Sequence, residues 1–281
     1  LSKANQNAVL YGSGEDVVTE FDSTRDGRLF AVISRPRSPA EVYRLEDRGP
    51  QPFTAVNREL LANTLTGTVE KHSYTVEDGT VLDTFVVFPP GFQKGRRYPA
   101  VLHIHGGPWA QWDWRFNFES QLFAAQGYVV VMPNPRGSWG YGQAFTDALV
   151  GDWGGIDFRD VMAAMDHAIG KGWVDGDRMA TYGWSYGGFL TNMIITKTDR
   201  FKAAISGATC AIGWPSRRPP VPSRLSAERL AIVMWPSRSI SANRALSAAN
   251  RRAAALRLQP PLARGRRRRR RPPAALDPQR V

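Results

Sequence analysis

A serine flanked by glycines is the part of this sequence best suited to chemistry. Gly183-Trp184-Ser185-Tyr186-Gly187 has the G-x-S-x-G form of a nucleophile elbow, a sharp turn between a strand and a helix. A serine hydroxyl is a poor nucleophile, so catalysis also requires a base and amide donors for the oxyanion. The pattern therefore predicts that Ser185 is a catalytic nucleophile. It also fits a glycine-rich turn in which Ser185 merely caps the next helix.

A glycine loop upstream favours the catalytic interpretation. His105-Gly106-Gly107-Pro108 follows an apolar segment and is similar to the loop that supplies an oxyanion-hole amide in esterases and related hydrolases. The second amide in such sites comes from the residue after the nucleophile. We therefore expect Gly107 and Tyr186 to form the oxyanion hole, each amide contributing about 3 to 4 kcal/mol to transition-state stabilisation.

The histidines are in unexpected positions for this chemistry. His72, His103, His105 and His167 all precede Ser185. In the hydrolases that use this elbow, the acid and then the histidine follow the serine along the chain. The sequence therefore contains a nucleophile motif without a histidine downstream to act as its base.

The pair formed by His103 and His105 could belong to a metal site in another fold. Only His167 could add a third imidazole, and no Cys-x-x-Cys pair is present. We therefore predict no metal and no cofactor. The alternative roles are that His103 packs in the sheet and His105 orients the glycine loop through a hydrogen bond.

Three further residues are candidates for the substrate pocket. Trp109 follows the glycine loop, and Arg136 and Tyr141 lie in the glycine-rich stretch after the next predicted strand. Arg136 could bind a carboxylate, and the two aromatic side chains could shape a site. Equally, all three could cover the sheet edge and fix a long loop.

Strands and helices alternate from about residue 68 onwards. Valine- and isoleucine-rich strands separated by amphipathic helices indicate a mostly parallel sheet covered on both faces, an α/β fold. The predicted strands are 70–76, 81–88, 100–105, 128–133, 179–184 and 203–206, and the predicted helices are 116–126, 155–170 and 186–196.

The two ends of the chain differ from this pattern. Residues 1–65 contain four short predicted strands, 8–11, 17–22, 29–34 and 41–45, which match the size of one propeller blade and its linker. Residues 66–210 form the α/β part, and residues 211–281 are rich in Arg, Pro and Ala. That last segment has the composition of disordered chain.

Positive charge is concentrated in the last segment, residues 211–281. Residues 211–281 hold 17 arginines and two acidic residues, a net charge of +15, so the preceding residues carry −3 of the overall +12. One alternative function is therefore binding of nucleic acid or an acidic partner through the arginine-rich segment. Because few aromatic residues accompany these arginines, we expect no specific nucleic-acid partner.

The expected location is cytoplasmic and not in a membrane. The single cysteine excludes an intramolecular disulfide, and no stretch reaches the length of an apolar membrane span. Because the sequence begins with leucine, we expect it to be truncated at its start. Oligomeric state has no sequence signal.

Several motifs in a fixed order together resemble the prolyl oligopeptidase family of serine peptidases, and most closely its acylaminoacyl-peptidase and dipeptidyl-aminopeptidase branch. The resemblance covers roughly residues 15–208. Its motifs are HGGP at 105–108, NPRGSWGYG at 134–142, GDWGGID at 151–157, GWSYGG at 183–188 and TDRFKAA at 198–204.

This resemblance implies a β-propeller followed by an α/β-hydrolase domain that cleaves short peptides through an acyl-enzyme. It implies that Ser185 is the nucleophile, with the amides of Gly107 and Tyr186 as the oxyanion hole. The family's triad aspartate and histidine have no counterpart after residue 210. We therefore expect a truncated or frameshifted end and little activity in this chain. A general esterase of the same fold is a further alternative.

Overall fold

Two β-sheets organise residues 14–208, the part of the chain that this computed structural model describes. The first sheet is an antiparallel meander in chain order. Its strands are β1 (Val17–Ser23), β2 (Leu29–Arg35), β3 (Ser38–Glu46) and β4 (Gly49–Pro52). Ala31, Ile33 and Tyr43 form its small buried core, in keeping with a single propeller blade.

The second sheet has six strands in the order β10-β9-β7-β8-β6-β5. Its three pairings among β7, β8, β9 and β10 are parallel, whereas β6 pairs antiparallel with both β8 and β5. The sheet is therefore mixed, with its parallel part at the end that carries the elbow. The strands are β5 (Thr68–Thr75), β6 (Val81–Phe88), β7 (Tyr98–Ile104), β8 (Val129–Asn134), β9 (Val174–Trp184) and β10 (Phe201–Gly207).

Three longer helices lie against this sheet, and residues 14–208 also contain two helices of five residues each. Asn117 caps α2, since its side chain accepts a hydrogen bond from the Ser120 amide at 2.8 Å. The helix α5 begins directly after Ser185. The helices are α1 (Arg58–Ala62), α2 (Phe118–Ala125), α3 (Gln143–Asp147), α4 (Ile156–Gly170) and α5 (Tyr186–Lys197).

The two faces of the large sheet carry separate cores because side chains alternate along each strand. In β8, Val129 and Val131 join the larger core, which includes side chains of α4 and α5. Val130 and Met132 point to the other face and join a smaller core with Ala124 of α2. The sheet is therefore covered on both faces, which is the α/β architecture that the sequence predicts.

The two sheets are tied together through α2. The Gln121 side chain accepts a hydrogen bond from the Gly67 amide at 2.7 Å and donates to the carbonyl oxygens of Gly67 and Pro36, each at 3.2 Å. Nearby, the Phe116 amide donates to the hydroxyl of Ser34 at 3.0 Å. The small sheet thus has its own attachment to the helix that covers the large one.

Some sequence predictions lie outside the described residues. These are the strand at 8–11, the arginine-rich segment 211–281 and the change of sequence character near residue 210. Among residues 14–208, no helix combines the length and the apolar character that crossing a bilayer requires.

Candidate active site

Ser185 lies on a strained turn between β9 and α5. Its backbone has φ 57° and ψ −117°, a left-handed conformation that non-glycine residues rarely adopt. The Ser185 amide donates to the Gly207 carbonyl oxygen of β10 at 2.9 Å, and the Ser185 carbonyl accepts from the Phe189 amide at 3.0 Å. The turn is thus held on both sides, and the side chain remains partly exposed.

The glycines of the motif are required by close backbone contacts. A methyl group at Gly183 would lie 2.2 Å from the Gly187 carbonyl oxygen, and one at Gly187 would lie 2.3 Å from the Ile104 carbonyl oxygen. Both distances are far below van der Waals contact. Only glycine at these two positions lets α5 start this close to β9 and to the end of β7.

A third glycine, Gly207, supports the elbow from the neighbouring strand. A methyl group there would lie 2.1 Å from Cε3 of Trp184, so the Trp184 ring lies directly on the Gly207 backbone. The same residue accepts the Ser185 amide. Gly207 therefore contributes both a hydrogen bond and the space for Trp184.

The glycine loop lies beside the elbow. A methyl group at Gly106 would lie 3.3 Å from the Trp184 carbonyl oxygen and 3.7 Å from Ser185 Cβ. Gly107 follows with φ 124°, where a side chain would be strained. Within residues 14–208, neither the Gly107 nor the Tyr186 amide donates a hydrogen bond. Both expected oxyanion donors are therefore available near Ser185.

His103 is a packing residue. Its Nδ1 lies 2.8 Å from Ser120 Oγ, and its ring contacts the rings of Trp112 and Tyr182. Burial disfavours the charged imidazolium and lowers the pKa of His103 to about 3. This confirms the expectation that His103 packs in the sheet.

Both ring nitrogens of His105 have hydrogen-bond partners, one in the glycine loop and one at Ser138. Its Nδ1 lies 2.7 Å from the Gly106 carbonyl oxygen, which can only accept, so Nδ1 carries the ring proton. Its Nε2 lies 3.0 Å from Ser138 Oγ. Burial lowers the pKa of His105 to about 4. The expected role in orienting the loop is confirmed.

His72 and His167 occupy the opposite edge of the sheet. Their ring centroids lie 6.4 Å apart, next to Trp173 and, for His167, stacked on Tyr74. Within residues 14–208, none of the four histidines forms a hydrogen bond with Ser185. In the described part of the chain, no histidine therefore lies in hydrogen-bond contact with the expected nucleophile.

Arg136 is engaged in a buried ion pair. Its backbone amide and Nε both donate to Asp160 Oδ2 at 2.9 Å, its second terminal nitrogen binds Asp160 Oδ1 at 2.6 Å, and its first binds Asp78. It lines a cavity of about 940 Å³ whose lining does not include Ser185. Because the guanidinium is already paired with carboxylates of the protein, these contacts correspond to the loop-fixing alternative rather than to binding of a substrate carboxylate.

The other two pocket candidates differ in exposure. The Tyr141 hydroxyl accepts from Asn134 Nδ2 at 2.9 Å, and burial raises the pKa of Tyr141 to about 12. Asn134 also bonds both backbone groups of Trp112, so Tyr141 belongs to a network that fixes two loops. Trp109, by contrast, is 49% exposed two residues after Gly107 and is free to contact a ligand.

Comparison with known proteins agrees with this geometry. A family model described as the prolyl oligopeptidase family matches residues 114–212, which include the elbow. This segment belongs to the prolyl oligopeptidase family.

Two named relatives match a longer part of the chain than the family model does. The peptidase YuxL of Bacillus subtilis, described as uncharacterized, is 37% identical over 195 residues, which cover 68% of this chain and 30% of the relative. Dipeptidyl-peptidase 5 of Porphyromonas gingivalis is also 37% identical, over 66% of this chain and 28% of its own length. The chain thus spans less than a third of these relatives.

Solved structures show the same fold. An acylaminoacyl peptidase of Pyrococcus horikoshii superposes with a TM-score of 0.64 at 28% identity, covering 71% of this chain and 32% of that one. A puromycin-hydrolyzing peptidase of Mycobacterium tuberculosis superposes with a TM-score of 0.56 at 27% identity, covering 65% and 29%. The α/β-hydrolase fold of the large sheet is therefore established.

One residue that lies near the site was not identified from the sequence. Asp157, in the first turn of α4, is fully buried and accepts the Tyr186 hydroxyl. It belongs to the GDWGGID motif, but nothing in that motif indicates a partner 29 residues away. Among the described residues, no group of three or more His, Cys, Asp or Glu side chains could hold a metal ion.

Proposed function

We propose that this chain is the elbow-bearing part of a serine peptidase of the prolyl oligopeptidase type. Ser185 would release acylamino acids or short peptides through an acyl-enzyme. The observation that carries the proposal is the strained backbone of Ser185 between β9 and α5, together with the unbonded amides of Tyr186 and of Gly107 in the neighbouring glycine loop. A serine that only capped a helix would adopt ordinary extended angles and bond an amide of the first turn. Ser185 does neither.

In the proposed reaction, Ser185 Oγ attacks the scissile carbonyl carbon and the peptide C–N bond breaks. The hydroxyl proton passes to a base and then to the leaving amine. The negative charge on the carbonyl oxygen is stabilised by the amides of Gly107 and Tyr186. Water then hydrolyses the ester and restores the Ser185 hydroxyl.

The base is the part of this scheme that residues 14–208 do not place beside Ser185. No histidine follows Ser185 in the sequence, and His103 and His105 are buried, neutral and held by other groups. We therefore propose that this chain reacts slowly. Oxyanion stabilisation and binding alone retain about 10³- to 10⁴-fold over water in enzymes lacking triad residues.

A test is to incubate the full chain with a fluorophosphonate and locate the adduct by peptide mass spectrometry. We expect slow modification at Ser185, with none in Ser185→Ala. Modification elsewhere, or none after prolonged incubation, would contradict Ser185 as the nucleophile. Rapid modification would contradict the missing base.

Substrate class is tested with activated acyl donors. A p-nitrophenyl ester of acetyl-alanine needs no proton for its leaving group, so acylation requires only that solvent water accept the Ser185 hydroxyl proton, and it should proceed slowly. Because hydrolysis of the acyl-enzyme also needs a base, the adduct should persist and be visible by intact mass. Equal acylation by a simple butyryl ester would favour the general esterase over the peptidase.

A further inference from the structure

A hydrogen bond from α4 reaches the residue that follows Ser185. The Tyr186 hydroxyl donates to Asp157 Oδ2, and both side chains are buried within the protein. Tyr186 is also the first residue of α5 and provides one of the two expected oxyanion amides. The contact therefore joins the start of one helix to the start of another, next to the nucleophile.

Asp157 is itself held in place by backbone amides. The Gly154 amide donates to Oδ2 at 3.0 Å, and the Phe158 amide donates to Oδ1 at 2.8 Å. Burial raises the pKa of the carboxyl, while these hydrogen bonds oppose the shift. The acceptor for the Tyr186 hydroxyl is therefore a fixed point of the loop that begins α4.

Packing restricts the Tyr186 ring as well. Its centroid lies 5.1 Å from that of Trp153 in an edge-to-face contact and 5.8 Å from that of Phe189 in a stacked one. The ring is held along its sides and at its hydroxyl end. Since side chain and amide share the same Cα, this anchoring limits how far the 185–186 peptide can rotate.

From this arrangement we propose that Asp157 and the Tyr186 hydroxyl form a positioning pair, which keeps the Tyr186 amide directed at the oxyanion. The role rests on the proposed function of Ser185, but the anchoring of the turn can be measured without catalysis. A strained turn relaxes unless its surroundings fix it. Gly207 fixes the Ser185 side of the turn, and Asp157 fixes the Tyr186 side.

The test compares Tyr186→Phe with Tyr74→Phe in the full chain. Tyr74 is a matched control, since its buried hydroxyl also donates to α4, at the Asp160 carbonyl oxygen, far along the chain from the elbow. The first readout is residue-level hydrogen exchange of the Ser185 amide, which donates to Gly207, and of the Phe189 amide, which donates to Ser185. The second is the rate of fluorophosphonate modification at Ser185.

We expect Tyr186→Phe to speed exchange of these two amides at least tenfold and to slow modification about tenfold. Tyr74→Phe should change neither, and Asp157→Asn should shift both in the same direction as Tyr186→Phe. Exchange at Val86, a fully buried residue of β6, reports whether the fold is intact.

Unchanged exchange at Ser185 and Phe189 in Tyr186→Phe would overturn the pair. Faster exchange with an unaltered modification rate would overturn its link to the oxyanion. If the unmodified sequence fails to react at Ser185, the proposed function fails, and the exchange measurement alone decides whether the pair holds the turn.

Discussion

At the scale of single residues, Gly187 is a position where the elbow has no room for a side chain. Its Cα faces the carbonyl oxygens of Ile104 and His105, where a methyl group would lie 2.3 Å and 2.9 Å away. These are backbone atoms of a buried strand, so they cannot move aside as a flexible side chain could. The elbow therefore tolerates no side chain here.

We expect Gly187→Ala to lower the free energy of unfolding by about 3 kcal/mol, because it overpacks against fixed backbone. It should also abolish modification of Ser185 by a fluorophosphonate. Urea denaturation and peptide mass spectrometry measure the two effects. Gly170→Ala, at the open end of α4 with no atom within 4 Å, is the matched control. It should leave stability unchanged or raise it by up to about 1 kcal/mol.

The sequence identifies the residues of the elbow but not those that support it. Gly183 lies directly against the Gly187 backbone, so a five-residue motif encodes this close approach. Gly207 and Asp157 act through contacts across strands and helices. Such pairings depend on tertiary packing, and no local pattern marks them.

At the scale of elements, α2 has a second role besides covering the sheet. Its Gln121 makes three hydrogen bonds, one to Pro36 in the turn between β2 and β3 of the small sheet and two to Gly67 just before β5 of the large sheet. Within residues 14–208, three buried side chains form the core of the small sheet, which is too little buried apolar surface for independent stability. Attachment to α2 is therefore part of its stability.

Gln121→Ala should destabilise the chain by about 2 to 3 kcal/mol, because the buried Gly67 amide would lose its acceptor. Limited proteolysis should cut faster between residues 53 and 66, where the connection to the small sheet runs. Gln126→Ala, at the exposed end of the same helix, should behave like the unmodified protein. Equal cleavage of both variants would show that Gln121 does not hold the connection.

Element prediction succeeded where hydrophobic periodicity was strong. The strand predicted at 81–88 matches β6, and the helix predicted at 155–170 matches α4 within one residue. The strand predicted at 179–184 begins earlier, at Val174, because Val174 pairs with Tyr98 of β7. The short elements β4, α1 and α3 were missed, since four or five residues carry too little pattern.

At the scale of the whole molecule, buried histidines make stability depend on pH. Burial holds the pKa of His103 at about 3 and that of His105 at about 4, against an ordinary value of 6.5. Below pH 6.5 the unfolded chain takes up protons that the folded chain does not. Stability is therefore greatest above pH 6.5 and falls towards pH 4. The raised pKa of Asp157 acts in the opposite direction at lower pH.

Between pH 7 and pH 5, each of these two histidines should remove about 2 kcal/mol from the free energy of unfolding. Urea denaturation across this range measures the loss. His103→Gln should be less stable at pH 7, but it should lose about 2 kcal/mol less between pH 7 and pH 5. An identical pH dependence in the variant would contradict the assignment.

The strand order of the large sheet has a consequence for how the chain folds. Strands β6 and β7 are separated by only nine residues, yet β8, made later in the chain, lies between them. Two adjacent antiparallel strands with a short connection readily pair as a hairpin. Such a hairpin would be a non-native intermediate here, and it must open by one strand width, about 4.8 Å, to admit β8. We therefore expect any such hairpin to slow folding, since β8 can take its place only after the hairpin opens.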